Sequence, residues 1–137
     1  MVGCLLGTAT LLSAQIPKDL VGIYVWNSSE RDGRPSECDC DYMLERIDLQ
    51  ANGKFVWMRQ IGRLEPKREF ESGTWSLSDI KYVVLTIKYY KITTATFGQE
   101  NSKPAQWQRK KDFQTFQLEG KDLHDGEVCY KRAASGK

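Results

Sequence analysis

The chain has 137 residues, of which 40% are hydrophobic and 28% charged, with 11 glycines and 4 prolines. This balance suits one folded domain and excludes collagen-like, low-complexity and disordered chains. Twenty lysines and arginines against 18 aspartates and glutamates leave a formal charge of +2, too even to predict nucleic-acid binding or adhesion to an anionic membrane. The single histidine argues against a histidine-rich metal site or a histidine-based triad. No cofactor is expected, because the chain has neither a Gly-rich phosphate loop nor a dinucleotide fingerprint.

Residues 2 to 14, Val-Gly-Cys-Leu-Leu-Gly-Thr-Ala-Thr-Leu-Leu-Ser-Ala, carry no charge. An apolar stretch ending in small residues suits a secretory signal cleaved before Gln15, here without the usual basic start. It is too short to cross a hydrocarbon core of about 30 Å as a helix, so no transmembrane anchor is expected. The expected arrangement is a truncated signal over residues 1–14 and a single domain over 15–137, secreted or periplasmic in the cell envelope. Loss of the signal removes Cys4 and leaves Cys38, Cys40 and Cys129, which in an oxidising compartment suggests one disulfide and one spare thiol.

Leu20 to Trp26 is dense in β-branched and aromatic residues and reads as the first strand. Asn27 to Asp41 is polar and rich in turn formers, as in a long surface loop. Tyr42 to Gln50 places Met43, Glu45, Ile47 and Leu49 on one face. Ala51-Asn52-Gly53 signals a hairpin into Lys54 to Ile61, whose Phe55, Trp57, Arg59 and Ile61 share a face. A three-residue loop with Gly53 as the bulge is preferred, since it sets Leu49 opposite Phe55, Ile47 opposite Trp57 and Met43 opposite Ile61. It also sets Glu45 opposite Arg59. Glu69 to Leu77 and Tyr82 to Tyr90 follow as strands, then Lys91 to Phe97, a stretch within 105 to 118, and Glu127 to Arg132. Lys121 to Gly126 reads as a turn by composition, with His124 solvated.

No long window shows an apolar period of 3.6, whereas about seven or eight short strands recur with turns between them. The expected fold is all-β, an antiparallel up-and-down β-barrel of about eight strands, because closure removes the two exposed edges of such a meander. A barrel of this size holds its own side chains or one small ligand.

Several local patterns resemble the lipocalin-like superfamily of small secreted bacterial proteins. Leu20-Val-Gly22-Ile-Tyr24 is similar to its opening strand, Leu49-Gln-Ala-Asn-Gly53-Lys-Phe55 to its first hairpin, and Glu71-Ser-Gly73-Thr-Trp75-Ser-Leu77 to its Gly-Thr-Trp strand. Val128 to Arg132 resembles its closing strand. Within that superfamily the order of elements most resembles the barrel domain of the outer-membrane copper-stress lipoprotein family. There the matching loop carries Cys-x-x-Cys, one residue longer than Cys38-Asp39-Cys40 here. The resemblance implies a lipocalin-like barrel and, as a lesser expectation, a stress role.

In an up-and-down barrel the last strand pairs with the first, which brings Cys129 near the departure of the loop that carries Cys38 and Cys40. A disulfide from Cys129 to Cys38 or Cys40 would pin that loop over one mouth. The same two cysteines, with Asp39 or Asp41 nearby, would suit a soft metal instead. Tyr24, Trp26, Met43, Ile47, Phe55, Trp57, Trp75, Leu85 and Ile87 either line a cavity for a hydrophobic ligand or fill the barrel. Glu45 and Arg59 share that interior, where a pair orients a polar ligand or fixes the register. Lys103, Arg109, Lys110 and Lys111 around Trp107 read as a solvated edge. The leading expectation is a non-catalytic binding protein for a small hydrophobic or amphipathic ligand. The rivals are an envelope metal or stress sensor using Cys38 and Cys40, and a small barrel enzyme using Glu45 or His124.

Overall fold

The computed structural model describes residues 16–27, 43–63, 66–94 and 105–133. The described residues form eight strands: β1 (Gly22–Asn27), β2 (Met43–Leu49), β3 (Lys54–Ile61), β4 (Lys67–Ser78), β5 (Tyr82–Thr94), β6 (Gln108–Glu119), β7 (Asp122–His124) and β8 (Cys129–Arg132). Each pairs antiparallel with the next, and β8 returns to β1, so the sheet closes into an up-and-down barrel. The closure is narrowest at β7 and β8: β7 pairs with β6 only over Gln117 to Glu119, and β8 pairs with β1 only at Tyr24 and Val25.

The β2–β3 register is the one set by a three-residue loop. Leu49 faces Phe55, Ile47 faces Trp57, Glu45 faces Arg59 and Met43 faces Ile61. Gly53 holds the connection with φ of 84°, a left-handed conformation that side chains resist. Its N–H donates to the Gln50 carbonyl at 3.1 Å.

Three expectations are corrected. The first strand starts at Gly22, because Lys18–Leu20 forms a 3-10 turn that buries Leu20. Lys91 to Phe97 is not a separate strand: β5 runs unbroken to Thr94 and absorbs its bend in a bulge between Ile87 and Tyr89. Lys121 to Gly126 is not all turn, since Asp122–His124 pairs with both β6 and β8. His124 is therefore a half-buried strand residue. Tertiary pairing overrides turn composition there, with Gly120 (φ 64°) and Gly126 (φ 105°) closing the two flanking connections.

The bulge depends on Gly73. A Cβ there would stand 1.9 Å from the Thr86 carbonyl oxygen, so only glycine lets β4 approach β5 this closely.

The barrel's lower end gathers the hairpin at 50–53, the turns at 79–81 and 120–121, and the N-terminal segment. Leu20 plugs it, with its carbonyl accepting from the Tyr24 hydroxyl at 2.7 Å. Arg132 straps the plug by donating from Nη2 to the Val21 carbonyl at 2.6 Å, and from Nη1 to that of Asp19. The Trp75 indole donates to the Gln50 carbonyl at 2.9 Å. Above this plug Tyr24, Ile47, Leu49, Phe55, Trp57, Trp75, Val83, Leu85, Ile87, Phe116, Leu123 and Tyr130 form one buried cluster. Each fully buried large apolar side chain contributes about 1.5–3 kcal/mol relative to exposure.

Candidate functional site

Successive inward rows of the wall change character toward the upper end. The lowest row over β2 to β5 is Leu49, Phe55, Gly73 and Ile87; the next is Ile47, Trp57, Glu71 and Tyr90; the third is Glu45, Arg59, Glu69 and Ile92. Strand alternation sends every second residue inward, so over β2 to β5 charge enters the barrel only in its upper half.

At the boundary lies an aromatic floor. The Phe116 ring meets Trp57 and Tyr130 edge to face, each at 5.4 Å between centroids, which joins β3, β6 and β8 across the interior. Glu45 sits on this floor. Its Oε1 accepts from the Trp57 indole at 3.1 Å and from the Tyr130 hydroxyl at 3.0 Å. At 8% exposure a carboxylate depends on such donors. Burial, and then the adjacent Glu45 charge, push the Tyr130 phenol far above its ordinary range. Burial likewise raises Tyr24 at the lower end, against the opposing pull of Arg132.

Over the floor runs a chain of alternating charge. Lys67 Nζ lies 3.4 Å from Glu69, Glu69 lies 3.6 Å from Arg59 Nε, and Arg59 Nη2 lies 3.1 Å from Glu71. Lys110 reaches the second oxygen of Glu71 from β6. Glu71 is 3% exposed, and Arg59 and Lys110 meet its two oxygens, the pairing that a buried carboxylate needs. The Arg59 guanidinium stands 4.5 Å above the Trp57 ring. The Tyr90 hydroxyl donates to Gln108 at 2.9 Å at the rim. An apolar floor under a rim of both signs can hold a molecule with an apolar body and a polar end.

The sequence-derived residues divide between these levels. Tyr24, Ile47, Phe55, Trp57, Trp75, Leu85 and Ile87 belong to the buried cluster, and Trp26 packs against it half-buried. Met43 pairs with Ile61 at the upper end. Glu45 and Arg59 face each other in register, yet Glu45 is held by aromatic donors while Arg59 bridges Glu69 and Glu71. His124 lies on the outer wall, where its Nδ1 accepts from the Gly126 N–H at 3.0 Å. It does not converge with Glu45.

Cys38 and Cys40, and with them the metal and disulfide expectations, lie outside the described residues. Cys129 opens β8 with its sulfur in no disulfide among the described residues. The β1–β8 register pairs Tyr24 with Arg132 and Val25 with Lys131, and counting two positions further matches Cys129 with Asn27, the last residue of β1. Burial, and then Asp122 and Glu119, raise its thiol above the usual range. Among the described residues no group of three or more His, Cys, Asp or Glu side chains could hold a metal. No described helix is long and apolar enough to cross a membrane.

Sequence reasoning missed Glu69, Glu71, Phe116 and Tyr130, and it set Lys110 on a solvated edge, whereas the amine turns inward to the buried Glu71. Glu69 and Glu71 carried a signal, since they are in phase with the inward Trp75. Lys110 carried one as well, being in phase with the inward Phe116 and Leu118 of β6, but its cationic neighbours Arg109 and Lys111 masked it. Comparison with models of known protein families, with curated proteins and with solved structures returns no match.

Proposed function

We propose that this protein is a secreted or periplasmic, non-catalytic binding module that seats a small amphipathic ligand at the upper mouth of its barrel. The observation that carries the reading is the segregation of the inward rows of β2 to β5: apolar below, aromatic at mid-height, charged above. The apolar body of the ligand lies against Trp57 and its polar end meets Arg59, Glu71 and Lys110. The uncharged stretch at residues 2 to 14 supports the export part of the proposal, and the resemblance to lipocalin-like proteins supports the binding part.

The test is titration with 1-anilinonaphthalene-8-sulfonate, which joins an apolar ring system to one anion. Saturable fluorescence enhancement is expected, weakened about tenfold, or 1.4 kcal/mol, by Trp57→Leu and by Arg59→Leu. Lys121→Ala, at the lower end, leaves it unchanged. Binding that survives both mouth variants and disappears with Trp107→Ser would place the site outside the barrel and overturn the reading.

A further inference from the structure

The near-neutral charge of the chain hides a segregated surface. Between β4 and β6 the carboxylates Glu69 and Glu71 point inward and are consumed by Arg59, Lys67 and Lys110. The opposite face of the same strands carries cations of its own, Lys91, Arg109 and Lys111. Lys91 projects outward beside Phe70, with its amine 4.6 Å from the Trp107 ring centroid and 5.3 Å from that of Phe70. Arg109, paired in register with Tyr89, and Lys111 are exposed on the same side of β6. Neither has a carboxylate partner among the described residues. Asp112 is the one acid between residues 105 and 118.

Aromatic side chains protrude among these cations. Phe113 is 61% exposed, Tyr89 43% and Trp107 42%. Large rings are costly to leave in water, and three of them beside Lys91, Arg109 and Lys111 on adjacent strands form a coherent patch. We infer that this outer face of β4 to β6 docks on an anionic lipid surface, the cations meeting headgroups and Phe113 and Trp107 entering the interfacial layer. Three features favour a membrane over a nucleic acid strand. The hollow that flanks the face over β2 to β4 includes the carboxylate of Asp48, which repels a phosphate strand. The Trp107 ring meets Phe70 edge-to-face with the Lys91 amine over it, which takes up a stacking face and leaves the remainder of the ring exposed. Rings beside lysine and arginine suit the headgroup boundary, where amphipathic aromatics concentrate.

Co-sedimentation of the full chain with vesicles of phosphatidylcholine, with and without roughly 30 mol% phosphatidylglycerol, tests this directly. Binding to the anionic vesicles is expected, at least tenfold weaker to the neutral ones, with a blue shift of tryptophan emission that Trp107→Phe abolishes. Raising salt to about 0.5 M reverses it. The exposed-residue variants Phe113→Ser and Lys111→Glu, folded by circular dichroism, each weaken it several-fold. Equal binding to both vesicle types, no binding to either, or tighter binding to a single-stranded oligothymidine than to anionic vesicles would overturn the inference. The salt and lipid arms use the unaltered protein, so the outcome does not depend on any variant folding.

Discussion

The Tyr130 hydroxyl donates to Glu45 Oε1 at 3.0 Å across 85 positions of sequence, tying the last strand to the second through the barrel interior. Removing it with Tyr130→Phe leaves Glu45 with the Trp57 indole as its remaining named donor and costs about 1–3 kcal/mol at neutral pH. The alkaline limb carries a second signature. The unfolded phenol ionises near 10, whereas in the barrel it stays protonated well above that. The stabilising effect is therefore fully present below pH 10 and is lost as pH climbs beyond it, because only the unfolded state sheds the proton. Each tyrosine so held contributes a slope of about 1.4 kcal/mol per pH unit. Thermal unfolding between pH 8 and about 11 is expected to show the midpoint falling above pH 10, less steeply in Tyr130→Phe.

Gly73 answers to space. Gly73→Ala sets a methyl group against the Thr86 carbonyl, 1.9 Å away before relaxation, and backbone cannot step aside as a flexible side chain does. A loss of at least about 2 kcal/mol in urea unfolding is expected, or failure to fold. A loss under half a kilocalorie would show that the β4–β5 bulge is wrongly placed.

The register of β2 and β3 was legible because only one loop length collects Leu49, Ile47, Phe55 and Trp57 on one side. The eight-strand closure was legible from the spacing of turns. β7 was not, since three residues with two polar side chains give no period to read, and only pairing on both edges makes them a strand. The site was half legible: Glu45 and Arg59 stood out as charges on an apolar face. Lys110 did not, because it stands between Arg109 and Lys111 in a run of three cations, although it is in phase with the buried Phe116.

Ile80 offers a stabilising test. The β4–β5 turn closes with the Lys81 N–H on the Ser78 carbonyl at 3.2 Å, and both central residues are left-handed, Asp79 at φ 52° and Ile80 at 53°. A β-branched residue resists that region, and Ile80 is 85% exposed, so it gains little packing in return. Ile80→Gly is expected to raise stability by about 1 kcal/mol, measured as an increase in the denaturant midpoint at unchanged slope.

The proposed ligand enters above the aromatic floor, and the indole N–H of Trp57, bonded to Glu45, reports that level of the barrel. Two-dimensional proton–nitrogen NMR during titration with 1-anilinonaphthalene-8-sulfonate resolves it from the indole of Trp107 on the outer face. The account predicts saturable shifts of the Trp57 indole and of the Arg59 and Glu71 amides, with the Leu20 and Gly120 amides unmoved. Shifts confined to Trp107 and its neighbours, or centred on the lower end, would contradict it.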